Sequence, residues 1–367
     1  MIGIRVKDNK LFLVATDKLN YIQTSSDLEG KNKDFDVSIP ADRFYKLIQK
    51  MTTENIILTL KENHLEVKGD GKGKSIHKIE IPLDGDDLMK SVSIPDIEKD
   101  AITEQGQIEQ SVLKSILSST KLSVPKNNDI NSNGYHYGGY YCGNNVVTYN
   151  GQTAAIYETK LFKTPYLFCK EAMDLIDTMD SDIIMYKRSN DAMLLISDSV
   201  MVYTLELDKK SAYPVDVINE YFENIDDNSV CKLSKSELNQ VVDRVSLFIS
   251  ATEKDNKPLK LSFDKKCLNI SNKNDSSSED VEYISIDNFT PYTCLINFEN
   301  LKSIVAAQSD NITMYFGDEN ALKFVGDKTK HLSSLILDGY VSEASEEVEE
   351  ENQESEFLNE EDIPFGD

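Results

Sequence analysis

The sequence predicts an α+β fold of three repeated domains. Three observations predict it: a helical stripe of apolar residues, a switch to strand-like alternation after it, and the return of that pair at a nearly constant interval. Ile48, Ile176 and Ile304 stand 128 residues apart each time, and Leu65, Leu194 and Leu322 follow at 129 and 128. So long a period describes whole domains, because the units of a solenoid are far shorter. A chain of 367 residues accommodates two or three domains at roughly 150 residues each. Three similar domains in one chain suggest an arc of a ring.

The first copy begins with Ile2, Ile4 and Val6, which alternate as a strand does. Ile4 and Leu11 match Leu261 and Leu268 of the third copy, both 257 residues on, so the first copy is expected to lack the helix that opens the other two. Phe44, Leu47, Ile48 and Met51 fall at i, i+3, i+4 and i+7, the spacing of one buried helical stripe. Residues 56–60 and 65–67 then read as a hairpin across Lys61 to His64, and Ile76, Ile79 and Ile81 continue the apolar supply. In the second copy Leu113, Ile116 and Leu117 mark a helix, followed by strands at 140–142 and 146–149. A second helix over 170–179 precedes strands near 183–186, 193–196 and 200–207. In the third copy Leu238, Val241 and Val242 repeat the opening helix 125 residues later, with strands at 259–263 and 268–270. A helix over 298–307 and strands at 312–316, 321–325 and 332–337 complete it. Acidic, polar residues at 84–99 and the turn-rich 223–229 read as joints, which divides the chain into domains 1–99, 100–225 and 226–340.

Charge is unevenly spread. Residues 341–367 hold ten Glu and two Asp with no Lys or Arg, so this tail contributes −12 of a net −25 and the body keeps −13. Like charge without apolar periodicity predicts a disordered tail. An acidic body repels phosphates through its average surface, so any contact with DNA requires a segregated basic face. The five cysteines lie far apart with no paired spacing, which fits reduced thiols rather than a disulfide framework or a zinc site. Neither a signal segment nor an apolar run near the ~20 residues of a membrane helix is found, so a soluble intracellular protein with no membrane partner is expected.

Chemistry-bearing motifs are scarce. Gly69-Asp70-Gly71-Lys72-Gly73-Lys74-Ser75 is one residue too short for a phosphate loop, and the alternation after it belongs to a strand, so a hairpin turn is expected. His64, His77, His136 and His331 are isolated, with no second ligand at metal-binding spacing. The acids form no compact pair or cluster. A non-enzyme without metal or cofactor follows.

Several strings carry a family likeness. Leu13-Val14-Ala15-Thr16-Asp17, followed by Val37-Ser38-Ile39-Pro40-Ala41-Asp42-Arg43-Phe44, resembles the first domain of the bacterial DNA polymerase III beta sliding clamp family. Asn145-Val146-Val147-Thr148-Tyr149-Asn150-Gly151 resembles that family's second-domain strand and the start of its Thr-Asp-Gly-His-Arg turn. Val242-Asp243-Arg244-Val245-Ser246-Leu247 resembles the end of its third-domain helix. The resemblance is divergent and spans residues 1 to 340.

It implies a homodimeric ring closed head to tail, domain one against domain three, with helices lining the hole and antiparallel sheets outside. Such a ring encloses double-stranded DNA without regard to sequence and serves a DNA polymerase and a clamp loader, in the cytoplasm of a bacterial cell or phage-infected host. Basic residues of the helices become the DNA-binding candidates: Arg43, Lys46, Lys50, Lys114, Lys121, Lys170, Lys235 and Arg244. An apolar cleft between domains two and three would take partner peptides through Cys142, Tyr149, Gly151, Thr153, Ala154, Pro214, Leu335 and Leu337. Gln152-Thr153 stands where the family has His-Arg, which bears on the partner's identity. The tail's Glu361-Asp362-Ile363-Pro364-Phe365 resembles the acidic tip of bacterial single-stranded DNA-binding proteins, making Phe365 a further partner-binding candidate beside a plain solubilising role. The alternative is a clamp-like decoy that, without its first helix, sequesters replication proteins and does not encircle DNA.

Overall fold

The computed structural model describes residues 1–70, 75–125, 138–208, 210–225, 229–249 and 257–336. They form two compact units interleaved along the chain: residues 1–117, 138–144 and 161–213 in the first, and the described parts of 118–137, 145–160 and 214–336 in the second. Six α-helices occur among the described residues: α1 (Ala41–Lys50), α2 (Gln110–Thr120), α3 (Lys170–Ile176), α4 (Val215–Asn224), α5 (Lys235–Ser246) and α6 (Phe298–Ala307).

The first unit is built on an antiparallel sheet. Its order is Glu104–Glu109, Ile183–Arg188, Ala192–Ile196, Val200–Leu205, Asn20–Asp27, Lys10–Thr16, Ile2–Lys7 and Phe35–Ile39. Val200 pairs with Thr24 and Val202 with Ile22, so strands from opposite ends of the unit's sequence join in mid-sheet. A smaller sheet, Ile56–Leu60, His64–Gly69 and Ile76–Glu80, packs its apolar face with α1. Phe44, Leu47, Ile48 and Met51 meet Ile4, Val37, Ile39, Leu65, Val67 and Ile79 there, the stripe that periodicity predicts. α1 stops where Met51 turns extended, its N–H still bonded to the Ile48 carbonyl at 3.1 Å.

The strands on either side of the glycine-rich motif pair antiparallel. Lys68 pairs with Ile76, and a strand rather than a helix follows; Gly71 to Lys74 lie outside the described residues. The buried Arg188 ties the first unit's edge together. Its guanidinium donates to the carbonyls of Thr164 and Pro165 and lies over the Tyr166 ring at 4.9 Å from the centroid.

In the second unit the strands Val146–Tyr149, Thr153–Tyr157, Thr329–Ser334, Ala321–Val325, Asn311–Phe316, Ser229–Ser234 and Ser285–Asp287 follow one another in one sheet. A second sheet runs Ser278–Glu282, Cys267–Asn272, Pro258–Phe263 and Tyr292–Asn297. α5 and α6 bury Leu238, Val241, Val242, Leu301, Ile304 and Val305 in the same core as Phe263, Phe316 and Phe324. The rings of Phe263 and Phe316 stack with centroids 4.0 Å apart. Side chains cap both helices: Ser234 accepts from the Glu237 N–H, and Asn297 from the Asn300 N–H at 3.1 Å.

Two expectations need correction. The stretch 223–229 is not simply a linker, because Glu223 and Asn224 end α4 and Ser229 opens a strand. α4 escapes sequence reading because Pro214 and three acids disguise the short stripe of Ile218 and Phe222, the two side chains it buries. The second-copy helix starts at Lys170 as expected but closes at Ile176 rather than 179.

Candidate functional site

The second unit contains a cavity of about 450 Å³, within the range of small-ligand and peptide side-chain pockets. Three pieces of chain build it. The first is the turn between Val146–Tyr149 and Thr153–Tyr157. There the Asn150 side-chain oxygen accepts from the N–H groups of Gln152 and Thr153 at 3.0 and 2.7 Å, and Gly151 takes a φ of +90°, which favours glycine. This turn presents Tyr149, Gly151, Gln152, Thr153 and Ala154 to the cavity.

The second piece is α4. Pro214, Val217, Ile218 and Tyr221 sit at i, i+3, i+4 and i+7, so a single helix face lines one wall. The third is the paired strands Ala321–Val325 and Thr329–Ser334 with their flanks, giving Asn320, Ala321, Leu332, Ser334 and Leu335. The Asp318 carboxylate sets the approach to this wall by accepting from the N–H groups of Asn320 and Ala321 at 2.8 and 3.0 Å.

One buried cation joins two walls. Lys323 donates to the Phe222 carbonyl in the last turn of α4 at 2.7 Å and lies 4.7 Å from the centre of the Tyr315 ring. A cation at a helix C-terminus is favourably placed against the helix dipole. Burial, reinforced by Lys330, holds its pKa down at about 8, against the opposing pull of Glu223. Among the described residues, no charged side chain lines the cavity. Burial and then Asp318 push the Tyr221 phenol up.

Six of the expected partner-binding residues, Tyr149, Gly151, Thr153, Ala154, Pro214 and Leu335, line this one cavity. Cys142 does not. It is fully buried in the first unit, in a strand paired with Tyr166–Phe168, and burial pushes its thiol up, so it is a core residue. Leu337 and Phe365 lie outside the described residues. Val217, Ile218, Tyr221 and Leu332 are lining residues that sequence reading missed, although the 214, 217, 218, 221 spacing carries the signal.

The basic candidates divide by what holds them. Arg43, Lys46 and Lys50 share a face of α1, and all three are exposed. Lys46 pairs with Asp42 at 2.9 Å, an exposed i, i+4 pair of the kind worth under about 1 kcal/mol. Lys114 is exposed on α2, Lys121 opens the turn that follows it, and Lys170 is half-buried at the start of α3. The third-copy cations are more committed. Lys235 donates to the carbonyls of Ala306 and Gln308 at 2.9 and 2.7 Å, closing the end of α6, and Arg244 makes a two-pronged pair with Glu279 that raises its own pKa.

No protein-family model and no curated protein matches the sequence. Solved structures do match. The DNA polymerase sliding clamp of Pseudomonas aeruginosa aligns over 92% of this chain and 91% of its own at 14% identity, with a TM-score of 0.70. The DNA polymerase III subunit beta of Borrelia burgdorferi aligns over 92% and 91% at 16% identity, with a TM-score of 0.73. The Thermotoga maritima beta subunit aligns over 92% and 90% at 15% identity, with a TM-score of 0.70. Across nearly its whole length, this divergent chain has the fold of the bacterial DNA polymerase III beta sliding clamps.

Proposed function

We propose that the chain is a DNA sliding clamp, a polymerase processivity factor that encircles duplex DNA and tethers partners through the cavity of its second unit. What carries this reading is the likeness of fold over 92% of the chain. It is strengthened by the cavity, which gathers six of the residues that the family resemblance nominated for partner peptides. The three domains 1–99, 100–225 and 226–340 would each supply a segment of the ring. A polymerase and a clamp loader would share the cavity, and no catalytic step is assigned to the chain.

Two exposed apolar patches support closure into a homodimer. Ile57 and Ile76 project from the smaller sheet of the first unit, whose edge strand is Ile76–Glu80. Leu247 and Phe248, 81% and 56% exposed, follow α5 in the second unit, whose four-stranded sheet has Ser278–Glu282 at its edge. Apolar side chains beside open strand edges suit a head-to-tail contact between the first and third domains of two chains. Within the ring, Arg43, Lys46, Lys50, Lys114 and Lys170 would meet phosphates. Enclosure makes weak contacts sufficient.

The test is topological. Loaded on nicked circular DNA by the clamp loader of its own cell, the protein should stay bound and should leave when the circle is cut. Equal retention on circles and linear DNA would sink the clamp reading, and a strict monomer at micromolar concentration would favour the decoy.

A further inference from the structure

We infer that the cavity of the second unit takes a peptide segment of a partner protein whose apolar anchor is flanked by lysine or arginine. This rests on the cavity being a partner site and adds the chemistry of the partner. The apolar wall fixes the anchor: Val217 is 46% exposed and Tyr221 39%, two large side chains open on the helix face that lines the cavity.

Among the described residues, the charges on α4 and on the turn before Ala321 are all carboxylates, while Lys330 on the lining strand is paired with Glu158 at 2.8 Å. α4 carries Asp216, Glu220 and Glu223 with no lysine or arginine. Asp216 and Glu220 are exposed directly beside Val217 and Tyr221. The facing turn brings Asp318 and Glu319 immediately before the lining residues Asn320 and Ala321. Asp318 is fixed there by two backbone N–H groups and lies near enough to Tyr221 to act on its phenol. Lys323, on the strand that Ala321 opens, is buried and points to the Phe222 carbonyl.

Carboxylates on two sides of a cavity whose described lining is uncharged attract cationic flanks and repel acidic ones, an effect felt in encounter rate and in choice of partner. The body's net −13 extends that preference to longer range. The same charges disfavour the chain's own tip, where Glu360, Glu361 and Asp362 precede Ile363-Pro364-Phe365.

A random peptide library panned against the full chain and counter-panned against Val217→Asp measures the preference. Tyr221→Asp serves as a second cavity variant should Val217→Asp disturb the helix. Cavity-dependent peptides are expected to carry an aliphatic or aromatic anchor bordered by Lys or Arg. Their affinity for a Glu220→Lys, Glu319→Lys double variant should fall roughly tenfold, with a flatter salt dependence. Cavity-dependent peptides with uncharged or acidic borders, the Ile363-Pro364-Phe365 type among them, would overturn the inference and leave the cavity as a partner site. Failure to select any cavity-dependent peptide would overturn both.

Discussion

His331 has no exposed surface, and both of its ring nitrogens are committed. Nε2 must carry the proton, because it faces the Ser119 carbonyl at 2.6 Å, and Nδ1 then accepts from the Gln308 amide at 2.6 Å. Burial pushes its pKa down to about 4 from an ordinary 6.5. Between those values the unfolded chain binds a proton that the folded chain refuses, so the contribution is complete above pH 6.5 and fades as pH falls toward 4. The stake is about 3–4 kcal/mol at most. Urea midpoints should therefore drop between pH 6.5 and 5, and His331→Gln should flatten that drop; an unchanged slope would remove His331 as its source. At this scale the sequence is legible only where local pattern carries the information. Family resemblance carries Tyr149, Gly151, Thr153 and Ala154 onto one contiguous strand, turn and strand that lines the cavity, whereas Cys142, carried over in the same way, is buried by pairing with residues 166–168, which no local pattern reveals.

Among the elements, α4 decides what the cavity can do. Its face of Pro214, Val217, Ile218 and Tyr221 lines the cavity, and the helix as a whole buries only Ile218 and Phe222. Because Val217 is half exposed, Val217→Asp should abolish peptide capture while the melting temperature stays close to wild type, as calorimetry can verify. Lys323→Ala acts differently. It leaves the Phe222 carbonyl without its buried donor and empties space beside Tyr315, so a loss of about 1–3 kcal/mol is expected. Faster amide exchange in the last turn of α4 would localise the effect. Truncating Phe316→Ala, in the stacked centre of the second unit's core, should cost more, about 3–5 kcal/mol in chemical denaturation. Long apolar periodicity makes α1 and α6 legible from sequence to within a few residues. The polar strand Asn20–Asp27 is not, since pairing with Val200–Leu205 rather than composition makes it regular, and in α4 three acids mask the 214, 217, 218, 221 spacing.

For the whole molecule, the oligomeric state is the most discriminating observable. The proposed ring predicts a species near twice 41.4 kDa in sedimentation, and Leu247→Asp with Phe248→Asp should return it to 41.4 kDa without unfolding it. A variant that remains dimeric would move the interface elsewhere. The tail's −12 leaves the remaining body still acidic, so deleting residues 341–367 should shift elution from an anion exchanger without changing that dimer. Pairing of Val200–Leu205 with Asn20–Asp27 also sets the order of events on the ribosome. Asn20–Asp27 is made early, yet its partner emerges almost 180 residues later, on the order of ten seconds or more at the usual pace of synthesis. Throughout that interval one edge of the strand has no native neighbour, so nascent chains stalled before residue 200 should be the most aggregation-prone intermediates and the ones most dependent on chaperones.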